Sequence, residues 1–131
     1  MTCVVIESPL GGDYLLVNYR YAQACMLDSL SRGEAPYLSH LLYPQVIDDH
    51  DAEGRRVGMA AGEKVSRLLL DASALHVYYL DLGMSRGMKA AQEWNYAITV
   101  RLLGGIWDEV ARRIAAGRSV DSILEYIDRS R

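Results

Sequence analysis

A chain of 131 residues, half of them hydrophobic and with a formal net charge of -3, is long enough for one domain with its own core and too short for two ordinary ones. Its sequence pI of about 5.5 provides no basic footprint, which argues against direct nucleic-acid binding and against attachment to an anionic membrane. The amino terminus has no basic segment followed by an apolar one, and no apolar run approaches the ~20 residues of a membrane helix, so the expected location is the cytoplasm.

Cys3 to Glu7 is a short β-branched run closed by Ser8-Pro9-Leu10-Gly11-Gly12-Asp13, which predicts a buried strand followed by a turn. From Asp13 onward Leu15, Leu16, Tyr19, Ala22, Met26 and Leu30 recur at helical spacing as far as Gly33. That pattern predicts a helix with Asp13 as N-cap and Gly33 as stop. Ala35 to Leu42 reads as a second strand entering the loop Tyr43-Pro44-Gln45, and Asp48 to Glu53 as a polar surface loop or a helix start. Val57 to Leu70 reads as a helix whose Ala60, Ala61 and Gly62 permit close packing against a sheet.

Ala74 to Leu80 is nearly continuous in apolar residues, as in a parallel strand covered by helices on both sides. Gly87 to Ala97 is then expected as a helix, Ile98 to Leu103 as the last strand, and Gly104-Gly105 as a break. Ile106 to Ala116 and Ser119 to Ile127 read as two short amphipathic helices, the second capped by Ser119. There is no internal repeat or linker, so residues 1–131 form one domain, with an α/β core over 1–103 and a helical extension over 104–131. The alternation predicts four or five mostly parallel strands flanked by helices. Cys3 and Cys25 sit among apolar neighbours and read as reduced core residues.

In open parallel sheets ligands bind outside the carboxyl ends of the strands, so two loops take precedence. The first, Ser8 to Asp13, combines a hydroxyl with flexible backbone N–H groups and a helix start, which suits an anion or sugar hydroxyls. Its spacing is neither a Walker loop nor a dinucleotide fingerprint. In the second, Asp81-Leu82-Gly83-Met84-Ser85-Arg86-Gly87-Met88, Gly83 and Gly87 allow close backbone approach and Ser85 adds a hydroxyl. Asp81 stands at a strand's carboxyl end, placed for ligand binding or for a turn. Glu93, two turns into the expected helix, is either a buried carboxylate able to attack an anomeric carbon or a solvent-facing residue. His40 and Tyr43 offer an acid/base partner or a stacking wall near the second strand, or else serve packing. His40, His50 and His76 have no zinc spacing, and Asp48, Asp49 and Asp51 do not make a calcium loop, so neither metal nor cofactor is expected.

Taken together, Glu7 to Asp13, the stretch Arg32-Gly33-Glu34-Ala35-Pro36-Tyr37-Leu38-Ser39-His40-Leu41-Leu42-Tyr43, and Asp81 to Met88 resemble small bacteriophage and prophage proteins of the nucleoside 2-deoxyribosyltransferase-like superfamily. The resemblance covers about Cys3 to Leu103. It implies a flavodoxin-like three-layer sandwich that binds a nucleoside or nucleotide at its strand ends, commonly as a homodimer or higher homo-oligomer. In enzymes of that superfamily a helix-borne glutamate attacks the anomeric carbon and an aspartate assists the departing base. Carried onto this chain, Glu93 is the nucleophile, although counting from Gly87-Met88 places the equivalent position at Ala91. Asp81 or Asp71 is the base-assisting acid. Ser8, Pro9, Gly11, Gly12, Asp13, His40, Tyr43, Gly83, Ser85, Gly87 and Met88 surround the ligand. The implied function is an N-glycosidase or 2-deoxyribosyltransferase-like activity in phage nucleotide metabolism or DNA modification; the alternative is a nucleotide-binding protein without the chemistry.

Overall fold

A computed structural model describes residues 1–48, 50–84, 88 and 92–130. Among the described residues four strands form one parallel sheet, β1 (Cys3–Glu7), β2 (Ala35–Tyr37), β3 (Leu75–Tyr79) and β4 (Ile98–Arg101), in the order β2-β1-β3-β4. The described α-helices are α1 (Leu15–Ser31), α2 (Ser39–Leu42), α3 (Ala52–Asp71), α4 (Ile106–Ala115) and α5 (Val120–Arg129), with a 3-10 turn over Tyr43–Gln45. The result is the expected α/β, flavodoxin-like three-layer sandwich.

Successive side chains of a strand point to opposite faces, and the two faces differ. Val4, Ile6, Val77 and Tyr79 join Val17, Tyr21 and Cys25 of α1 in one buried cluster. Trp107 and Val110 of α4 and Ile123 and Ile127 of α5 complete the same cluster, so the C-terminal helices are part of the core layer. Trp107 meets Tyr21 edge-on, ring centroids 5.2 Å apart at 72°. The other face carries Val5, Glu7, His76 and Tyr78. Over it Arg67 of α3 lies on the Trp94 ring, and that ring stacks on His76.

Several local expectations are corrected by identifiable chemistry. The second strand ends at Tyr37 and Ser39 already begins α2. Pro36 has no N–H to donate, which confines it to the edge position that β2 occupies. Helix α1 starts at Leu15 after Tyr14, with no side-chain cap from Asp13. Its C-terminus does follow the Gly33 expectation: Glu34 N–H donates to Ser29 O and Gly33 N–H to Leu30 O, a Schellman closure that satisfies two terminal carbonyls. Helix α3 begins earlier than its apolar pattern suggests, because Asp51 accepts from the Gly54 N–H and caps it. Buried Gly62 packs against Ser39 of α2, not against the sheet. Ser119 caps α5 as expected. Cys25 is buried, but Cys3, at the outer start of β1, is exposed.

Candidate functional site

The strand order sets the place to look. From β1 the chain moves outward to β2 on one side, and from β3 outward to β4 on the other, so the carboxyl ends of β1 and β3 flank the topological switch point where open α/β sheets bind ligands. Both loops singled out in the sequence leave the sheet there.

Ser8, the first residue after β1, is fully buried, and its Oγ has no hydrogen-bond partner among the described residues. A buried hydroxyl left unmatched costs about 1–3 kcal/mol, a cost relieved by a ligand group that bonds to it. Gly11 and Gly12 follow with φ of +85° and +68°, a left-handed pair closed to most side chains. The Gly11 carbonyl is held by Asn18 Nδ2 at 3.2 Å. A terminal nitrogen of Arg55, in the first turn of α3, lies 3.7 Å from where a Gly11 side chain would begin. Arg55 makes no ion pair among the described residues. A guanidinium thus adjoins a glycine turn that follows the buried hydroxyl and leads into α1, a combination suited to an anion. Pro9 is half-buried in this loop, and Asp13 is exposed at its end.

Glu7, the last residue of β1, completes this edge. It pairs in register with Tyr78, and its Oε1 lies 3.4 Å from Nε2 of His76. Tyr37, last in β2, donates its hydroxyl to Tyr43 at 3.2 Å. Burial first, and for Tyr37 then the bond to Tyr43, push the Tyr37 and Tyr78 phenols well above the ordinary tyrosine range, with the Glu7 carboxylate adding to both. They therefore remain protonated.

The expected acids are placed differently. Asp81 Oδ1 accepts from the Tyr21 hydroxyl at 2.5 Å and from the Leu103 N–H at 2.8 Å, while Oδ2 accepts from the Gly104 N–H at 3.0 Å. Its own N–H donates to the Tyr21 oxygen at 3.1 Å. This carboxylate ties the end of β3 to α1 and to the segment after β4. Burial first, then the bond to Asp81, hold the Tyr21 phenol far above its ordinary range.

Asp71, the last residue of α3, precedes β3 and accepts from the Tyr96 hydroxyl, and Tyr96 itself precedes β4. It therefore lies at the amino-terminal edge of the sheet, a strand length of about 16 Å from the switch point. Glu93 is exposed in a turn, not two turns into a helix. Asn95, at φ +63°, donates its N–H to Gln92 O, and the left-handed residue ends the helical path there. The neighbouring Trp94 stacks on His76, the second residue of β3, and no described contact brings Glu93 to Asp81 or Ser8. Among the described residues, no contact joins Asp71 or Glu93 to Ser8, Gly11, Gly12 or Asp81.

Gly83 closes a turn by donating to Leu80 O, with φ +84°, and Met88 donates to Met84 O. Ser85, Gly87 and Ala91, as well as Asp49, lie outside the described residues. His40 is half-buried on α2. The described residues hold no cluster of His, Cys, Asp and Glu arranged for a metal. An open apolar groove of about 320 Å³, lined by Leu10, Leu15, Leu16, Tyr19, Pro44 and Ile47 among others, adjoins the first loop. It contains neither Ser8 nor Glu7, so it extends the site and does not constitute it.

Sequence reasoning missed Glu7, Arg55, Tyr37, His76 and Tyr78. His76 left one signal, a polar residue inside an otherwise apolar strand. Arg55 left none, because its approach to Gly11 depends on how α3 folds back over β1.

One family model, described as a domain of unknown function (DUF7768), matches residues 2–102, from the start of β1 to just past β4. No curated protein and no solved structure matches the chain.

Proposed function

The chain belongs to the DUF7768 family, and we propose that it binds a nucleoside or nucleoside 5′-monophosphate at the carboxyl ends of β1 and β3 and acts at the N-glycosidic bond, as an N-glycosidase or 2-deoxyribosyltransferase-like enzyme. The observation that carries this reading is the buried Ser8 hydroxyl, unmatched among the described residues, in the loop whose Gly11 lies against Arg55. The guanidinium favours the monophosphate, since charge-assisted bonds to phosphate are the stronger kind. Phage nucleotide metabolism or DNA modification in the host cytoplasm is the setting that accompanies this reading. No described helix is long and apolar enough to cross a membrane. A homodimer belongs to the same proposal and is supported by Leu16, Leu27 and Leu30 of α1, each more than half exposed.

A second reading, binding without turnover, has its own support. Glu93 is exposed in a turn, and both Asp81 oxygens are engaged by the protein itself. The two readings separate when the four deoxynucleosides and their 5′-monophosphates are incubated with the protein, with free base followed by chromatography and binding by calorimetry. Base release supports the enzyme; tight binding without release supports the sequestering protein. Arg55→Ala is expected to weaken monophosphates about 10-fold and nucleosides little, as for loss of one charge-assisted bond. Absence of binding across all eight compounds overturns both readings.

A further inference from the structure

Glu7 is exposed by only 21% of its side chain, and His76 is its one hydrogen-bond partner among the described residues. The His76 side chain is wholly enclosed. Its ring is stacked by Trp94 at 6.0 Å and 11°, and Tyr78 tilts against it at 4.9 Å. Arg67 lies over that Trp94 ring, 4.6 Å from its centroid. An imidazole packed in this way has little rotamer freedom, so it fixes one oxygen of Glu7, and the other has no donor among the described residues. A carboxylate accepts only, and it repels a phosphate. The anion-binding features, Gly11, Gly12 and Arg55, lie on the chain beyond Ser8, whereas Glu7 lies immediately before it. A nucleotide whose phosphate rests on the glycine turn therefore brings its sugar, the adjoining part of the molecule, toward Ser8 and Glu7.

We propose that Glu7, held in place by His76, accepts a hydrogen bond from the sugar hydroxyl of the bound nucleotide and selects ligands that carry it. This inference rests on the nucleotide reading of the switch point. Glu7 is the specificity-determining residue, and His76, which acts through it, is a positioning residue. The pair also accounts for a polar couple buried in a strand layer that is otherwise apolar or aromatic.

The test is calorimetric titration of the wild-type chain and Glu7→Leu with the four deoxynucleoside 5′-monophosphates and their 2′,3′-dideoxy counterparts. Removing the 3′-hydroxyl is expected to weaken wild-type binding about 10- to 100-fold, the range for a hydrogen bond to a charged group. In Glu7→Leu the same removal is expected to change affinity less than about 3-fold, because the partner of the hydroxyl is gone. His76→Phe is expected to weaken the 3′-hydroxyl forms much more than the dideoxy forms and so reduce the discrimination between them, a pattern that a merely structural role does not produce.

Equal wild-type affinity for both ligand forms overturns the inference, and this comparison needs no variant to fold. A hydroxyl penalty that persists in Glu7→Leu also overturns it, by assigning the contact to another residue. So does a Glu7→Leu loss shared equally by both forms, which indicates contact with the base. If the wild-type chain binds none of the eight nucleotides, the site reading falls and the inference with it, an outcome distinct from binding without discrimination.

Discussion

The two faces of the sheet are made by alternate residues of the same strands, yet they bury different chemistry. Under α1, α4 and α5 the strands present Val4, Ile6, Val77 and Tyr79 to a largely apolar layer whose polar groups are matched within the protein, as the Tyr79 hydroxyl is by Asp28. On the α3 side they present Glu7, His76 and Tyr78, where burial leaves a carboxylate, an imidazole and a phenol within reach of one another. The first arrangement is what stability alone selects. Buried polar groups are costly unless matched, so a polar cluster at the strand ends is better explained by something it binds. The comparison separates a load of folding from a load of recognition within two strands of five residues each.

If that separation holds, damage to the first face lowers stability and damage to the second alters binding. The largest effect is expected from Ile123→Ala, which opens a cavity in the first face and costs about 4 kcal/mol in urea unfolding. A loss below 1 kcal/mol would mean that α5 is an appendage after all. Next is Arg101→Met. Arg101 grips Glu34 through two nitrogens, both at 2.7 Å, and the side chains are only 10% and 12% exposed. Removing one member of such a pair costs about 3 kcal/mol because the other stays buried and unpaired.

The same pair gives a pH signature. The Arg101 guanidinium holds the Glu34 carboxyl below the usual carboxylate range. Its stabilisation is therefore complete above that range and is lost as pH falls through the depressed folded value. Unfolding measured from pH 6 to pH 3 is expected to show a shallower acid-side loss in Arg101→Met than in wild type. The smallest effect is expected from His76→Phe, about 1–2 kcal/mol, since an apolar ring of similar size replaces the imidazole while the partly exposed Glu7 loses the donor on one oxygen. A large loss there would dissolve the contrast between the faces.

What could be read from the chain follows the same division. Cys3–Glu7, Leu75–Tyr79 and the helices after Gly105 are written in local periodicity, and the structure places them within a residue or two of expectation. Pro36 was readable as a sign that β2 must be short and at an edge, but the apolar residues after it obscured that sign. Asn95 similarly marks where the helical path before β4 stops, a single left-handed residue inside a run that otherwise looks helical. The ligand-facing groups are another matter. Glu7 meets Tyr78 only through strand register and Arg55 meets Gly11 only through tertiary packing; neither relation has a sequence spacing. The loops of the switch point were legible as places, while the particular side chains that converge there were not.

Asp81 bears on how the chain can be cut. The family match ends at residue 102, and a fragment trimmed to that limit loses the Leu103 and Gly104 N–H groups that hold the carboxylate. Tyr21 would then be its one remaining donor among the groups described. The fragment would also strip Trp107, Val110, Ile123 and Ile127 from the core over α1. The stretch that the family model matches is therefore smaller than the unit that packs into one core, and a workable minimal protein keeps the whole C-terminal pair, with Asp81 as the stitch that binds the two together.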